Sequence, residues 1–222
     1  MKGLPLLILT IFLFSCQTLP LINAPVSPAE EKALTCPSPF LKEKYRLVHA
    51  IETRVAGKTQ STIIGVTLAD PYTRFISCAI MTAEGMVMFE ADSDHGAIKV
   101  NRALPPLDSA DFAKNMIEDI KLIFFAPGGK IQKKGILSDG ATACRYHEEN
   151  GDWIDVITNK LEGTTIKRYS SFGTLKRQIK FNKTSGNIYQ SIELQANETF
   201  NYSLLMTLIE AQPVESESLQ KE

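Results

Sequence analysis

Three stretches near the C-terminus constrain this chain more than any other feature. In the first, Leu175, Ile179 and Phe181 recur at even spacing; in the second, Ile188, Ile192 and Leu194; in the third, Phe200, Tyr202, Leu204, Met206 and Leu208. Lys176, Gln178, Lys180, Glu193, Asn201, Ser203 and Thr207 stand between them. A period of two sends alternate side chains to opposite faces of a strand, so one face is dry and the other wet. The same pattern opens the chain, with Tyr45, Leu47 and Ile51, a turn at Gly57-Lys58, then Ile64, Val66 and Leu68. Asp70-Pro71 turns into a strand over Tyr72–Thr82, Glu84-Gly85 into Met86–Ala91, and His95-Gly96 into Ile98–Arg102. Connections this short join antiparallel neighbours, because parallel strands need long crossovers. The first half is therefore a meander of five strands.

Pro105-Pro106 breaks that pattern. Asp108 or Ser109 can cap a helix, and Asp111 suits its first turn. Phe112, Met116, Ile120 and Ile123-Phe124 then recur every three or four residues, ending near Pro127-Gly128-Gly129. Strands resume over Ile131–Leu137, Thr142–His147, Trp153–Thr158 and Thr164–Ser170, with hairpin signals at Asp139-Gly140 and Asn150-Gly151. The three alternating stretches follow. About 11 strands is more than a twisted sheet carries flat. The expected fold is mainly β with α: a curled antiparallel half-open barrel of about 11 strands, with the helix across its concave face.

The start of the chain has a different character. Leu4–Phe14 is an apolar run behind Lys2, too short for a span of roughly 20 residues. It reads as the core of a secretory signal. Its end, Leu13-Phe14-Ser15-Cys16, resembles the bacterial lipoprotein box. The resemblance implies cleavage before Cys16 and acylation of that residue, a membrane anchor without a spanning helix. Gln17 is not the Asp that marks inner-membrane retention in enterobacterial lipoproteins, which implies the periplasmic face of the outer membrane. The chain then divides into a cleaved signal peptide (1–15), an anchor and proline-rich mobile tether (16–43, with Pro20, Pro25, Pro28, Pro37 and Pro39 and room for one helical turn at Ala29–Leu34), a β-domain (44–210) and a polar flexible tail (211–222).

Composition excludes several functions. The net charge is −1 and no basic patch stands out, so nucleic acid is not an expected partner. Lys176-Arg177 reads as the wet face of a strand. With Cys16 acylated, Cys36, Cys78 and Cys144 remain; an oxidising envelope permits one disulfide, whose pairing the sequence leaves open, and one thiol stays over. Cys78, in an apolar run, reads as a buried free cysteine. His49, His95 and His147 are scattered, so no metal or other cofactor is expected. Asp152 with Asp155, or Asp92 with Asp94, could pair as acid and base, but at strand ends they read as solvated. Cys144 and His147, three apart on a strand, face opposite sides. No nucleophile elbow occurs, and no enzyme is expected.

The order of lipobox, tether, five-strand meander, helix and about six further strands resembles LolA and LolB, the periplasmic carrier and outer-membrane acceptor of lipoproteins. Residues 44–210 carry the likeness, most closely Tyr45–Phe125. Glu118–Phe125 and Tyr202-Ser203-Leu204 resemble still more an uncharacterised family of small LolB-like bacterial lipoproteins. LolB bears an exposed Leu on the turn between its third and fourth strands; here that turn is Thr82-Ala83-Glu84-Gly85 and presents Glu84. The implied function is non-catalytic binding of an acyl chain, or of a lipidated or hydrophobic ligand, in an apolar cavity. Its expected lining is Leu47, Ile64, Val66, Phe75, Phe89, Met116, Ile120, Ile192, Leu204 and Met206, residues that a filled core would equally use. The alternative is an envelope scaffold or interaction module with no ligand. Oligomeric state is left open.

Overall fold

The computed structural model describes residues 19–25, 34–55, 58–185, 188–198 and 201–215. Cys16, the signal segment and the proposed helical turn at Ala29–Leu34, except Leu34 itself, lie outside these residues.

Five strands run in sequence: β1 (Tyr45–Val55), β2 (Lys58–Asp70), β3 (Phe75–Met81), β4 (Val87–Asp94) and β5 (Ala97–Ala103). One helix follows, α1 (Ala110–Phe124). Seven more strands complete the fold: β6 (Lys130–Ile136), β7 (Thr142–His147), β8 (Trp153–Asn159), β9 (Gly163–Tyr169), β10 (Leu175–Ser185), β11 (Ile188–Ala196) and β12 (Tyr202–Pro213). The sheet has twelve strands where about 11 were expected: each of the five stretches before the helix and the seven after it forms one. All twelve form one antiparallel sheet in the order β5-β4-β3-β2-β1-β12-β11-β10-β9-β8-β7-β6. Each meander pairs its neighbours in turn, and the last strand closes on the first, with Tyr45 opposite Pro213 and Val55 opposite Tyr202. The outer strands β5 and β6 are not paired with each other, so the barrel stays open.

The core requires the sheet to curl. Phe89 on β4, Ile154 on β8 and Ile117 on α1 belong to one buried cluster. In a flat sheet β4 and β8 would stand roughly 40 Å apart, at about 4.8 Å per strand. One helix, 10–12 Å across with its side chains, covers both only if the strands wrap around it.

The helix begins where its chemistry allows. The Ser109 hydroxyl accepts a hydrogen bond from the Phe112 amide at 3.1 Å, and Asp111 lies in the positive first turn. Ala113, Ile117, Ile120 and Phe124 form its buried stripe, with Phe112 and Met116 at the margin. It ends at Phe125, whose amide donates to the Lys121 carbonyl.

The proline-rich segment is not free where it is described. Ile22 is 1% exposed, packed with Ala141, Ala143 and Ile157 on the face of β7 and β8 turned away from the helix. Asn23 exchanges two backbone hydrogen bonds with Ile136 at the β6 edge, at 2.9 and 3.0 Å. Cys36 forms a disulfide with Cys144, while Cys78 stays free and buried. Phe40 enters the main core, and the Leu41 amide donates to the Phe124 carbonyl at 3.0 Å. Proline here stiffens a strap rather than freeing a leash. The other boundary also moves: β12 runs to Pro213, and the Val214 amide donates to the Lys44 carbonyl at 2.9 Å. The tail therefore begins beyond 211.

The disulfide joins residues 108 apart. Its loss through Cys36→Ala with Cys144→Ala is expected to lower stability by ~2–5 kcal/mol, read as a lower urea midpoint than that of the oxidised parent.

Candidate functional site

The concave face under α1 is the one continuous apolar surface that the fold assembles from both meanders. Antiparallel register carries it across the sheet in rows. Leu47, Thr67, Cys78 and Ala91 stand side by side, as do His49, Gly65, Ile80 and Phe89. Beyond the β1–β12 seam, Met206, Ile192 and Phe181 continue it. Phe89 meets Phe112 of the helix edge to face, with ring centres 5.2 Å apart.

Seven of the ten expected lining residues meet on this face. Leu47, Phe89, Ile120, Ile192 and Met206 are buried in the main cluster, and Met116 and Leu204 pack against it. Ile64, Val66 and Phe75 do not. On β2 the buried positions are Gly65, Thr67 and Ala69, and on β3 Ile76, Cys78 and Ile80. Ile64, Val66 and Phe75 alternate with these and turn to the outer face, half-buried, with Ile64 opposite Ala50, Val66 opposite Val48 and Phe75 opposite Asp70. The inner positions of β2 are small because larger neighbours fill the space: a Cβ on Gly65 would stand 2.6 Å from Ile51 Cδ1.

Charged residues clamp the helix in a way the local pattern did not reveal. Arg177, read as part of a wet face, is 5% exposed and points inward. Its Nε donates to Asp119 Oδ1 on α1 at 2.8 Å, and its Nη1 to Glu198 Oε2 at 2.7 Å. The Tyr202 hydroxyl donates to the other oxygen of Asp119, and the guanidinium lies over the Tyr202 ring. Burial pushes the Asp119 carboxyl above the usual carboxylate range, against the pull of Arg177 and Tyr202. Burial also works against the Arg177 charge, but Asp119 beside it raises the guanidinium further above its ordinary value. At the neighbouring helix position, Arg168 bridges Glu118 at 3.1 Å and Asp152 at 2.8 Å, and Lys176 reaches Asp152 at 3.0 Å.

Asp152 and Asp155, expected to be solvated, are both buried. Asp155 is fully enclosed and takes two 2.7 Å hydrogen bonds from Arg145, whose Nη2 also donates to the Pro20 carbonyl. Each carboxylate is committed to a cation, which is a structural arrangement rather than an acid–base pair. Among the described residues no group of three His, Cys, Asp or Glu side chains is placed to hold a metal.

His49 lies inside this face with its ring 6.1 Å from that of Phe124. Its Nε2 has no hydrogen-bond partner. Burial lowers its pKa to about 4. The thiol of Cys78 is likewise pushed up to about 12, by burial first, so it is an inert core group.

A separate concavity of about 380 Å³ opens on the outer face, against β10, β11, β12 and the end of β1. Arg54, Lys180, Glu193, Gln195 and Ser203 line it, and of the expected apolar lining only Leu204 reaches its wall. Leu205 and Tyr202 line it too, so its wall mixes charged and apolar groups where the inner face is dry.

No family profile matches the chain, and no curated protein matches it. Solved structures do. A LolA superfamily protein, NE2245 from Nitrosomonas europaea, superposes with a TM-score of 0.52 over 80% of this chain and 89% of its own, at 10% identity. The fold is LolA-like. A putative outer membrane lipoprotein-sorting protein domain from Vibrio parahaemolyticus aligns over 87% of this chain and 92% of its own, at 10% identity and a TM-score of 0.45. The LolA-like sheet here is open, mainly β and covered by a single helix, as the alternation and the one amphipathic segment anticipated.

His49 makes the stability of this LolA-like core depend on pH. Its folded pKa lies below the ordinary value, so its contribution is complete above pH 6.5 and is lost as the pH falls from 6.5 towards 4. Roughly 3 kcal/mol is at stake, at about 1.4 kcal/mol per unit. Urea titrations of the parent and of His49→Leu at pH 7 and pH 4 check this: the parent is expected to lose more stability than the variant.

Proposed function

We propose that this protein is a membrane-anchored envelope lipoprotein that binds an acyl chain, or a lipidated or hydrophobic ligand, between α1 and the concave sheet. It acts as a non-catalytic carrier or acceptor on the periplasmic face of the outer membrane. The observation that carries the reading is the way the dry face is covered. A single helix hides it, and that helix takes no part in any strand ladder. It can lift about its flanking loops, 104–109 and 125–129, without breaking a sheet hydrogen bond.

A fatty-acyl chain needs apolar area rather than particular polar partners. The side chains that close the core around the helix, Leu47, Phe89, Ile192 and Leu194, offer that area once Ile117 and Ile120 withdraw. Met116 and Met206 add flexible thioethers that adapt to varied greasy shapes. The Asp119–Arg177–Tyr202 and Glu118–Arg168 contacts hold the closed position. Buried ion pairs of this kind specify geometry more than they add stability, which suits a cover that must return to one place. Acylated Cys16 supplies the membrane attachment; its setting in Leu13-Phe14-Ser15-Cys16, which resembles the bacterial lipoprotein box, supports this. The LolA-like fold supports the same reading.

The chain carrying Cys16→Ala is expected to leave the membrane fraction and to take up a fluorescent fatty-acyl probe in solution. Replacing Glu118 with Gln and Asp119 with Asn should raise the rate of uptake several-fold by loosening the helix. Absence of uptake by both proteins, with the helix shown to remain folded, would reject the ligand-binding reading.

A further inference from the structure

The bound strap sets where the domain can sit. A free chain over residues 16–43 would allow the domain to stand as far as ~90 Å from its anchor, at about 3.3 Å per residue. The observed strap shortens that reach. Pro20 is held by Arg145, Ile22 is buried and Asn23 is paired to Ile136. Only three residue steps separate Cys16 from Leu19, so the Cys16 backbone lies within ~10 Å of the first described strap residue, at about 3.3 Å per residue.

The surface at that place has a definite chemistry. Strand β6 reads Lys-Ile-Gln-Lys-Lys-Gly-Ile, three lysines and no acid. Lys130 and Lys133 are exposed along it, Ile131 and Ile136 expose apolar surface on the same strand, and Leu21 is exposed on the strap two residues before Asn23, the partner of Ile136. Lysines on an outer strand are by themselves an ordinary guard against edge-to-edge pairing. The opposite edge, β5, carries Lys99 and Arg102 in the same way. What separates the two edges is the strap, which runs to β6 and not to β5. Cationic side chains interleaved with apolar ones suit the interface of a bilayer that contains anionic lipid.

We propose that the β6 edge, with Lys130, Lys133, Ile131 and Leu21, rests on an anionic phospholipid surface, and that the strap holds it there. The domain then stands on one edge, with β5 turned away from the bilayer. This placement rests on acylation of Cys16, proposed above, and is independent of whether the concave face takes a ligand.

The test uses the mature acylated chain in vesicles of about one-third phosphatidylglycerol in phosphatidylcholine, with lysine acetylation read by mass spectrometry. The mass of the N-terminal peptide comes first: a chain without acyl groups overturns the placement while leaving acyl-probe binding untouched. With the anchor present, Lys130 and Lys133 are expected to react several-fold more slowly on vesicles than in detergent, and Lys99 at an unchanged rate. Equal protection of Lys99, or none at Lys133, overturns the proposal. Equal protection of Lys133 on pure phosphatidylcholine overturns the anionic assignment. Ile22→Asp, and separately Gly135→Ala, whose new Cβ would meet the Asn23 carbonyl oxygen at 1.9 Å, should release the strap. Release is followed by faster exchange of the Ile136 amide. Protection of Lys133 should then fall while vesicle attachment persists; protection that survives release overturns the role of the strap.

Discussion

A sheet with one dry face has to hide that face, and here a single helix of 15 residues hides most of twelve strands. The helix is about 22 Å long at 1.5 Å per residue, far too small to cover a flat sheet of that width. Curling solves the mismatch, because the strands then cover one another's inner residues around a common axis. Every other feature follows from that geometry. The seam between β1 and β12 lets the first strand and the last share the floor of the curve. The connection from β5 to β6 crosses the mouth, and the helix is that connection.

The same geometry explains why charge sits inside. Where β9, β10 and β12 approach the helix, their side chains are Arg168, Arg177 and Tyr202, and the helix answers with Glu118 and Asp119. Each buried cation loses hydration that its partners must replace, so removing either side leaves an uncompensated charge. Apolar packing alone would let the helix slide along the trough, since hydrophobic contact has no direction. Two adjacent acids held by cations from different strands fix both its height and its rotation. The acids are neighbours in sequence, and on a helix successive residues point about 100° apart. Glu118 therefore reaches towards β9 while Asp119 reaches towards β10 and β12.

Much of this was legible in the chain. Alternation predicted strands, turn residues predicted hairpins, and a spacing of three to four predicted the one helix, with a cap at Asp108 or Ser109, of which Ser109 makes the contact. Phase was legible where one side of a strand was plainly apolar, as in β11 and β12. It failed on β2, where the larger residues, Ile64 and Val66, face outward and the inner row is Gly65, Thr67 and Ala69. Size and hydropathy point to the wrong face there because the inner volume is already claimed by Ile51 and its neighbours. Arg177 stands two residues from Leu175 and from Ile179, a spacing that already put it inside. Its charge argued against that position, and its partner Asp119 is 58 residues away. Cross-chain compensation of this kind leaves no local trace. The same holds for Asp155, whose burial depends on Arg145 across the strand pair.

The strap was missed for a related reason. Proline and small polar residues mark chain that forms neither helix nor ladder, and composition treats such chain as free. Yet an extended segment can still bury one side chain, and Ile22 set against Ala141 and Ala143, with Pro20 held by Arg145 and Asn23 paired to Ile136, anchors a stretch whose backbone is already stiff. Proline lowers the entropy that docking must overcome, so the residues that suggested mobility favour attachment instead. The disulfide then ties the returning segment to the inner face of β7, and Phe40 with Leu41 meets the end of the helix. Residues 19–25 thus touch the outer face and the β6 edge, while residues 36–41 meet the inner face of β7 and the end of the helix that covers the concave face. The same few contacts therefore fix where this segment lies and brace the C-terminal end of the helix.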